Sequence, residues 1–210
     1  TLDLIFFESN SNGTGVFKGW KELTATSSSP LIMNTDITFD FSDLGLSMTE
    51  AYDILVVANM GDNYLSPDST WTLEEWKTVV KGKTFKQAKA DIQAFMTGTS
   101  VEVPEYTTKP LESEALLMSA SLRKESQDTK INVVLQRTVS RFDIHNSAAG
   151  YTLESVSIWN AYPSLFVWNG EPNAFDEKAK RIPRLYGVES EAGADIVGKL
   201  YAFENYVASP

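Results

Sequence analysis

The chain has 210 residues, 42% of them hydrophobic, a formal net charge of -10, one histidine and no cysteine. That length permits one large domain or two small ones with a substantial core, and the acidic balance argues against nucleic acid and anionic lipid, which need clustered Lys and Arg. Without cysteine there is no disulfide framework, no thiolate nucleophile and no Cys-based zinc site, and no apolar run approaches the roughly 20 residues that span a bilayer.

The start at Thr1 carries no basic n-region or apolar h-region, so it reads as a processed or engineered start with any signal peptide gone. Leu2, Leu4 and Phe6 alternate with Asp3, Ile5 and Phe7, which predicts a strand buried on both faces. Residues 10–15 (NSNGTG) form a turn-rich break, and 27–30 (SSSP) a second loop. A strand is expected over 36–41, with Ile37, Phe39 and Phe41 on one face. The β-branched run at 53–59 (DILVVAN) predicts a central strand.

Two helix starts follow, because Thr72 with Glu75 and Thr84 with Gln87 both match the capping box. In the second helix Phe85, Ala88, Ile92 and Phe95 repeat at helical spacing, and Gly98 is placed to end it. Residues 104–114, with Pro104 and Pro110, read as an exposed linker. Strands are then expected at 116–118, 130–146, 151–160 and 196–207. The apolar phase changes between Val139 and Phe142, which predicts a bulge or bend near Ser140. Residues 163–190, with Pro163, Pro172 and Pro183, read as a long loop. Many strands with one or two inserted helices favour a sandwich over a doubly wound α/β fold.

Chemistry-bearing patterns are few. The single histidine, His145, reads as a strand-end residue at a turn, and without a second His or a Cys it can found neither a His-rich metal site nor a Ser-His-Asp triad using another histidine. Asp36, Asp40 and Asp43 cluster in sequence, as a glycosidase pair could, but 28 acidic residues make chance proximity expected. Glu74 and Glu75 fit a first helical turn. Asp62, Asn63 and Asp68 lack the ordered spacing of an EF-hand and read as a turn. No GxGxxG, P-loop or GxSxG occurs. Arg137, Arg141 and His145 share one parity of the long strand and could face an anion; pairing with acidic neighbours is the favoured account. Of five tryptophans, Trp76 and Trp159 are assigned to core, whereas Trp20, Trp71 and Trp168 are candidates for an exposed carbohydrate platform. No catalytic, cofactor or metal residue is assigned, and the chain is read as non-enzymatic and cofactor-free.

The order of four segments carries a resemblance. VVAN at 56–59, MSA at 118–120, LQRTVSR at 135–141 and YAFEN at 201–205 follow one another across most of the chain. This order resembles the N-terminal domain of the Bacteroidales fimbrillin family, the major and minor fimbrial subunits. The resemblance implies a mainly β fold, a transthyretin-like β-sandwich with one or two short helical insertions, as a single domain over residues 1–210 and the N-terminal part of a longer two-domain subunit. It further implies a lipoprotein precursor, attached to the membrane only through its lipid anchor, and display outside the cell on the outer membrane surface. In that family an N-terminal strand is removed by proteolysis, and a strand of the next subunit fills the groove left behind. The partners implied are other fimbrial subunits, in a homo- or heteropolymer. Two other functions are kept beside this one. The first is a glycan- or host-binding adhesin module, as at a fimbrial tip, which needs an exposed tryptophan platform. The second is a secreted hydrolase, which needs two facing carboxylates in a cleft.

Overall fold

The computed structural model describes residues 1–24, 36–61, 72–95, 106–107, 116–153, 155–161, 164–168, 182–189 and 195–203. In chain order they form β1 (Leu2–Glu8), β2 (Phe17–Leu23), a 3-10 turn (Phe41–Leu44), β3 (Tyr52–Ala58), α1 (Leu73–Lys81), α2 (Phe85–Asp91), β4 (Gln93–Phe95) and β5 (Tyr106–Thr107). Then come β6 (Met118–Lys124), β7 (Gln136–Arg137), β8 (Val139–Ile144), β9 (Ser155–Ala161), β10 (Ser164–Phe166), β11 (Ile182–Glu189) and β12 (Ile196–Phe203). The fold is mainly β with two short helices. A five-stranded antiparallel sheet has the order β2-β1-β3-β6-β7. Beside it stand the pair β10-β4, the trio β5-β11-β9 with β5 parallel to β11, and the pair β12-β8.

The continuous apolar runs of β1 and β3 make them the centre of the large sheet, and both are buried on both faces. On one face Ile5, Phe7, Leu55 and Val57 meet Trp76 and Val80 of α1, Ala88 of α2, Trp168, Val139 of β8 and Phe203 of β12. On the other, Leu4, Phe6, Ile54 and Val56 meet Phe41, Leu46 and Tyr52, with Phe39, Leu122, Ile131 and Leu135 packed against them. Both predicted capping boxes are present, with Thr72 and Thr84 accepting from Glu75 N and Gln87 N. The turn at 10–15 brings β2 back against β1. Its Gly15 is required, since a Cβ there would stand 1.6 Å from the Glu8 carbonyl oxygen.

Several expectations are corrected. Residues 36–41 are not a strand: Asp40 accepts from Ser42 N and caps the 3-10 turn, which Gly45 closes at φ 68°. Phe39 and Phe41 still share a face, stacked 5.4 Å apart and edge-on to Phe6, while Ile37 is exposed. The second helix ends at Asp91 rather than Gly98, which lies outside the described residues. Ile92 turns extended, and its carbonyl accepts from Val167 N, so pairing of β4 with β10 ends the helical stripe. The strand over 130–146 is broken: 130–135 joins no ladder, β7 has two residues, and the interruption falls at Thr138 rather than Ser140. There Thr138 N and Oγ1 both donate to Leu117 O.

Residues 17–23, which do not alternate, form β2 because β1 offers them a ladder. The loop expected over 163–190 holds β10 and β11. Pro183 is tolerated there at the second residue of its strand. Within the expected linker, 106–107 pair with β11. The loop at 27–30, Pro104, Pro110, Pro163 and Pro172 lie outside the described residues.

Candidate functional site: the open edge of the large sheet

The residues singled out from sequence are mostly occupied by structural partners. Asp36 pairs with Lys130 at 3.0 Å, Asp40 caps the 3-10 turn, and Asp43 lies in that turn. Glu74 holds Lys77 at 3.1 Å, and Glu75 belongs to a capping box. The backbone N–H of Thr72 holds the Glu75 carboxyl below the usual range. Arg141 pairs with Asp143 at 2.8 Å, whereas Arg137 is exposed and makes no ion pair among the described residues. His145 Nδ1 lies 2.8 Å from Asp195 Oδ2, and Asn146 N donates to the other oxygen, tying the end of β8 to the start of β12. Those two hydrogen bonds lower the Asp195 pKa, the one from His145 first.

Of the three tryptophans proposed for an exposed platform, the two that are described do not stand exposed. Trp168 is buried and donates to Val56 O at 2.8 Å. Trp20 lies half-buried in β2, edge-on to Trp76, with Lys77 and Lys81 over its ring. Trp71, like Asp62, Asn63 and Asp68, lies outside the described residues; for Trp159 only its place in β9 is described. A shallow depression of about 310 Å³ is lined by Asn12, Gly13, Phe85, Lys86 and Lys89. The first helical N–H groups beside it are already used, by Gly15 O, Gly13 O and Thr84 Oγ1.

A pair of carboxylates does face across the sheet, and sequence spacing gave no sign of it. Asp3 and Glu22 are cross-strand partners, brought together by the β1–β2 register. Asp3 is 2% exposed, and burial pushes its carboxyl pKa up; the indole N–H of Trp20, 2.8 Å away, opposes this, and Glu22 adds to it. Lys77 of α1 bonds Glu22 at 2.7 Å, so each carboxylate already has a partner, Asp3 the Trp20 indole and the exposed Glu22 the Lys77 ammonium.

A stretch of backbone is also left without a partner among the described residues. At the outer edge of β6, Met118 and Ser119 pair with Arg137 and Gln136, and Thr138 N donates to Leu117 O at 3.1 Å. In an antiparallel ladder every second residue bonds to the same side, so Leu117, Ser119, Ser121 and Arg123 turn their backbone groups away from β3. Beyond Ser119 the ladder stops. The edge groups of Ser121 and Arg123 meet no backbone partner among the described residues. Beside this edge lies an apolar layer: Ala120, Leu122, Ile131 and Leu135 pack on the cluster of Phe6, Phe41 and Tyr52.

The other flank of the sheet is better guarded. The start of β2 is bridged by Val16 to Thr84, and Glu22 is bonded to α1. An edge that is open on its backbone and apolar beside it is what strand addition requires. Compared with known protein families, curated proteins and solved structures, the chain matches none.

Proposed function

We propose that the chain is a structural subunit of a cell-surface fimbria, a transthyretin-like β-sandwich module that takes up a strand from a neighbouring subunit. One observation carries this reading: the bare half of the β6 edge, at Ser121 and Arg123, lies over an apolar layer. Ladder hydrogen bonds would supply the affinity, and side chains entering the layer would supply the register. Head-to-tail contacts that do not close then give a filament. The fimbrillin resemblance, spread from Val56 to Asn205, points the same way. Among the described residues, the candidate tryptophans give the glycan-binding alternative no support, since Trp168 is in the core and Trp20 is half-buried against Trp76.

Immunogold labelling of the source cells with antibody to this chain is expected to decorate fibres. Ser121→Pro removes one edge N–H that no ladder uses, so the subunit should fold and reach the surface while fibre number falls at least about tenfold. Fibres without this chain, or undiminished fibres built from the proline variant, would overturn the proposal.

A further inference from the structure

The bare edge of β6 already has a stretch of matching β-forming sequence beside it in the same chain. Residues 131–135 (INVVL) are rich in β-formers. They are tethered at both ends. Lys130 pairs with Asp36 at 3.0 Å before them, and β7 pairs with β6 after them. Continuing the register of Met118 with Arg137 and Ser119 with Gln136 sets Ser121 opposite Val134 and Arg123 opposite Asn132. Those are the pairs whose backbone groups would meet.

The sidedness also agrees. The same register sets Ile131, Val133 and Leu135 opposite Lys124, Leu122 and Ala120, and Ile131 and Leu135 pack with Leu122 and Ala120 on one apolar cluster. The connection is a closed turn, in which Glu125 N donates to Asp128 Oδ2 at 2.8 Å and Asp128 N to Glu125 O at 3.1 Å. Yet the ladder is not made, and Val134 stands 79% exposed.

We propose that residues 130–135 are a strap that zips onto β6 in the unassembled subunit and must leave the edge before another strand docks. Its role rests on the strand-accepting reading above; its geometry does not. Zipping completes a seven-residue partner for β6 without moving Ile131 or Leu135 out of their layer. It hides an edge that would otherwise invite premature pairing, a hazard that sheet proteins ordinarily suppress. Because strap and incoming strand compete for the same backbone groups, the strap sets a threshold for assembly rather than a block.

The chain has no cysteine, so paired cysteines report the strap cleanly. Arg123→Cys with Asn132→Cys places two thiols at an expected backbone-bonded pair, within disulfide reach. Arg123→Cys with Val133→Cys is the slipped control, with side chains on opposite faces. Under mild oxidation the first pair should cross-link at least about tenfold faster than the control. Ser121→Cys with Val134→Cys tests the same register should the first pair disturb folding. Equal rates, or in-register pairs that stay reduced in a folded chain, would overturn the strap. The oxidised in-register variant should enter fibres at least about tenfold less than the same protein after reduction. If the locked chain enters fibres as well as the reduced one, the strap is not a competitor and the proposal falls. If it cross-links in register and neither form enters fibres, the strap stands as an edge cover and the fimbrial reading falls instead.

Discussion

Lys124 is the residue whose replacement tests how the open edge is held. It ends β6, is 2% exposed, and its ammonium donates to three carbonyl oxygens: Met48 at 2.7 Å, Glu125 at 3.0 Å and Glu50 at 3.1 Å. Its Nζ stands 5.7 Å from the centroid of the Phe41 ring. Lys124→Met keeps the aliphatic stem and removes every donor. Each carbonyl left without a partner costs about 1 kcal/mol, at the low end because these loops can admit water, so the loss is about 3 kcal/mol. With a urea m-value of about 2 kcal/mol/M, the unfolding midpoint should fall by about 1.5 M. Lys124→Arg should not restore it, because a planar guanidinium fork cannot point at three carbonyls arranged around one ammonium. Urea unfolding followed by tryptophan fluorescence reads the shift. A midpoint change under about 0.3 M would show that the three contacts contribute no net stability, and the argument from them would fail.

Two further perturbations probe the covered face. Asp3 has a folded-state pKa above its ordinary value, so the folded chain binds its proton more readily than the unfolded chain does. The resulting stability is complete below the ordinary carboxylate value and is lost as pH rises through the raised one. Asp3→Asn keeps an acceptor for Trp20 and removes the titration, so relative to wild type it should lose ground on going from neutral to acid pH; parallel pH–stability curves would refute this. Trp76 is buried between Trp20 at 5.7 Å and Trp168 at 6.0 Å, and its indole N–H has no acceptor among the described residues. Trp76→Ala should cost about 4 kcal/mol. Trp76→Phe deletes the unpartnered donor with a smaller cavity and should cost less than half as much, and a loss equal to that of alanine in thermal or urea unfolding would refute the reasoning.

What was legible in sequence was whatever local pattern alone decides. The double-faced apolar runs of β1 and β3 and the two capping boxes are strong because each is satisfied within a few residues. What depended on a distant partner was misread. The run Phe17–Leu23 has no alternation of its own and becomes a strand through β1. Helix α2 stops short of its stripe because Ile92 and Val167 find each other. The candidate site shows both halves of the rule. The β-forming character of 130–146 is plain in the residues, but the missing ladder between 131–135 and β6 is a matter of where two stretches lie. Likewise Asp3 and Glu22 are 19 positions apart, and only the β1–β2 register makes them neighbours.

The position of β1 constrains how strand exchange could work here. In the resembled family a processed N-terminal strand vacates the groove, and the first strand of this chain is an obvious suspect. Yet β1 is laddered to β2 on one side and β3 on the other, and carries Leu4, Ile5, Phe6 and Phe7 into both apolar clusters. Removing it would split the sheet and take side chains out of both clusters at once, whereas an accepting edge must survive the exchange. The bare groups of Ser121 and Arg123 lie on the far side of β3 and β6 from β1, so loss of β1 would not expose them. A mechanism using this edge therefore needs a covering strand that is not part of the core, and 130–135 meets that condition: it contributes two half-buried side chains, Ile131 and Leu135, and no ladder. Moving it aside leaves β1 and β3 intact. In the proposed arrangement the chain's stability and its readiness to accept a strand would reside in different parts of the chain.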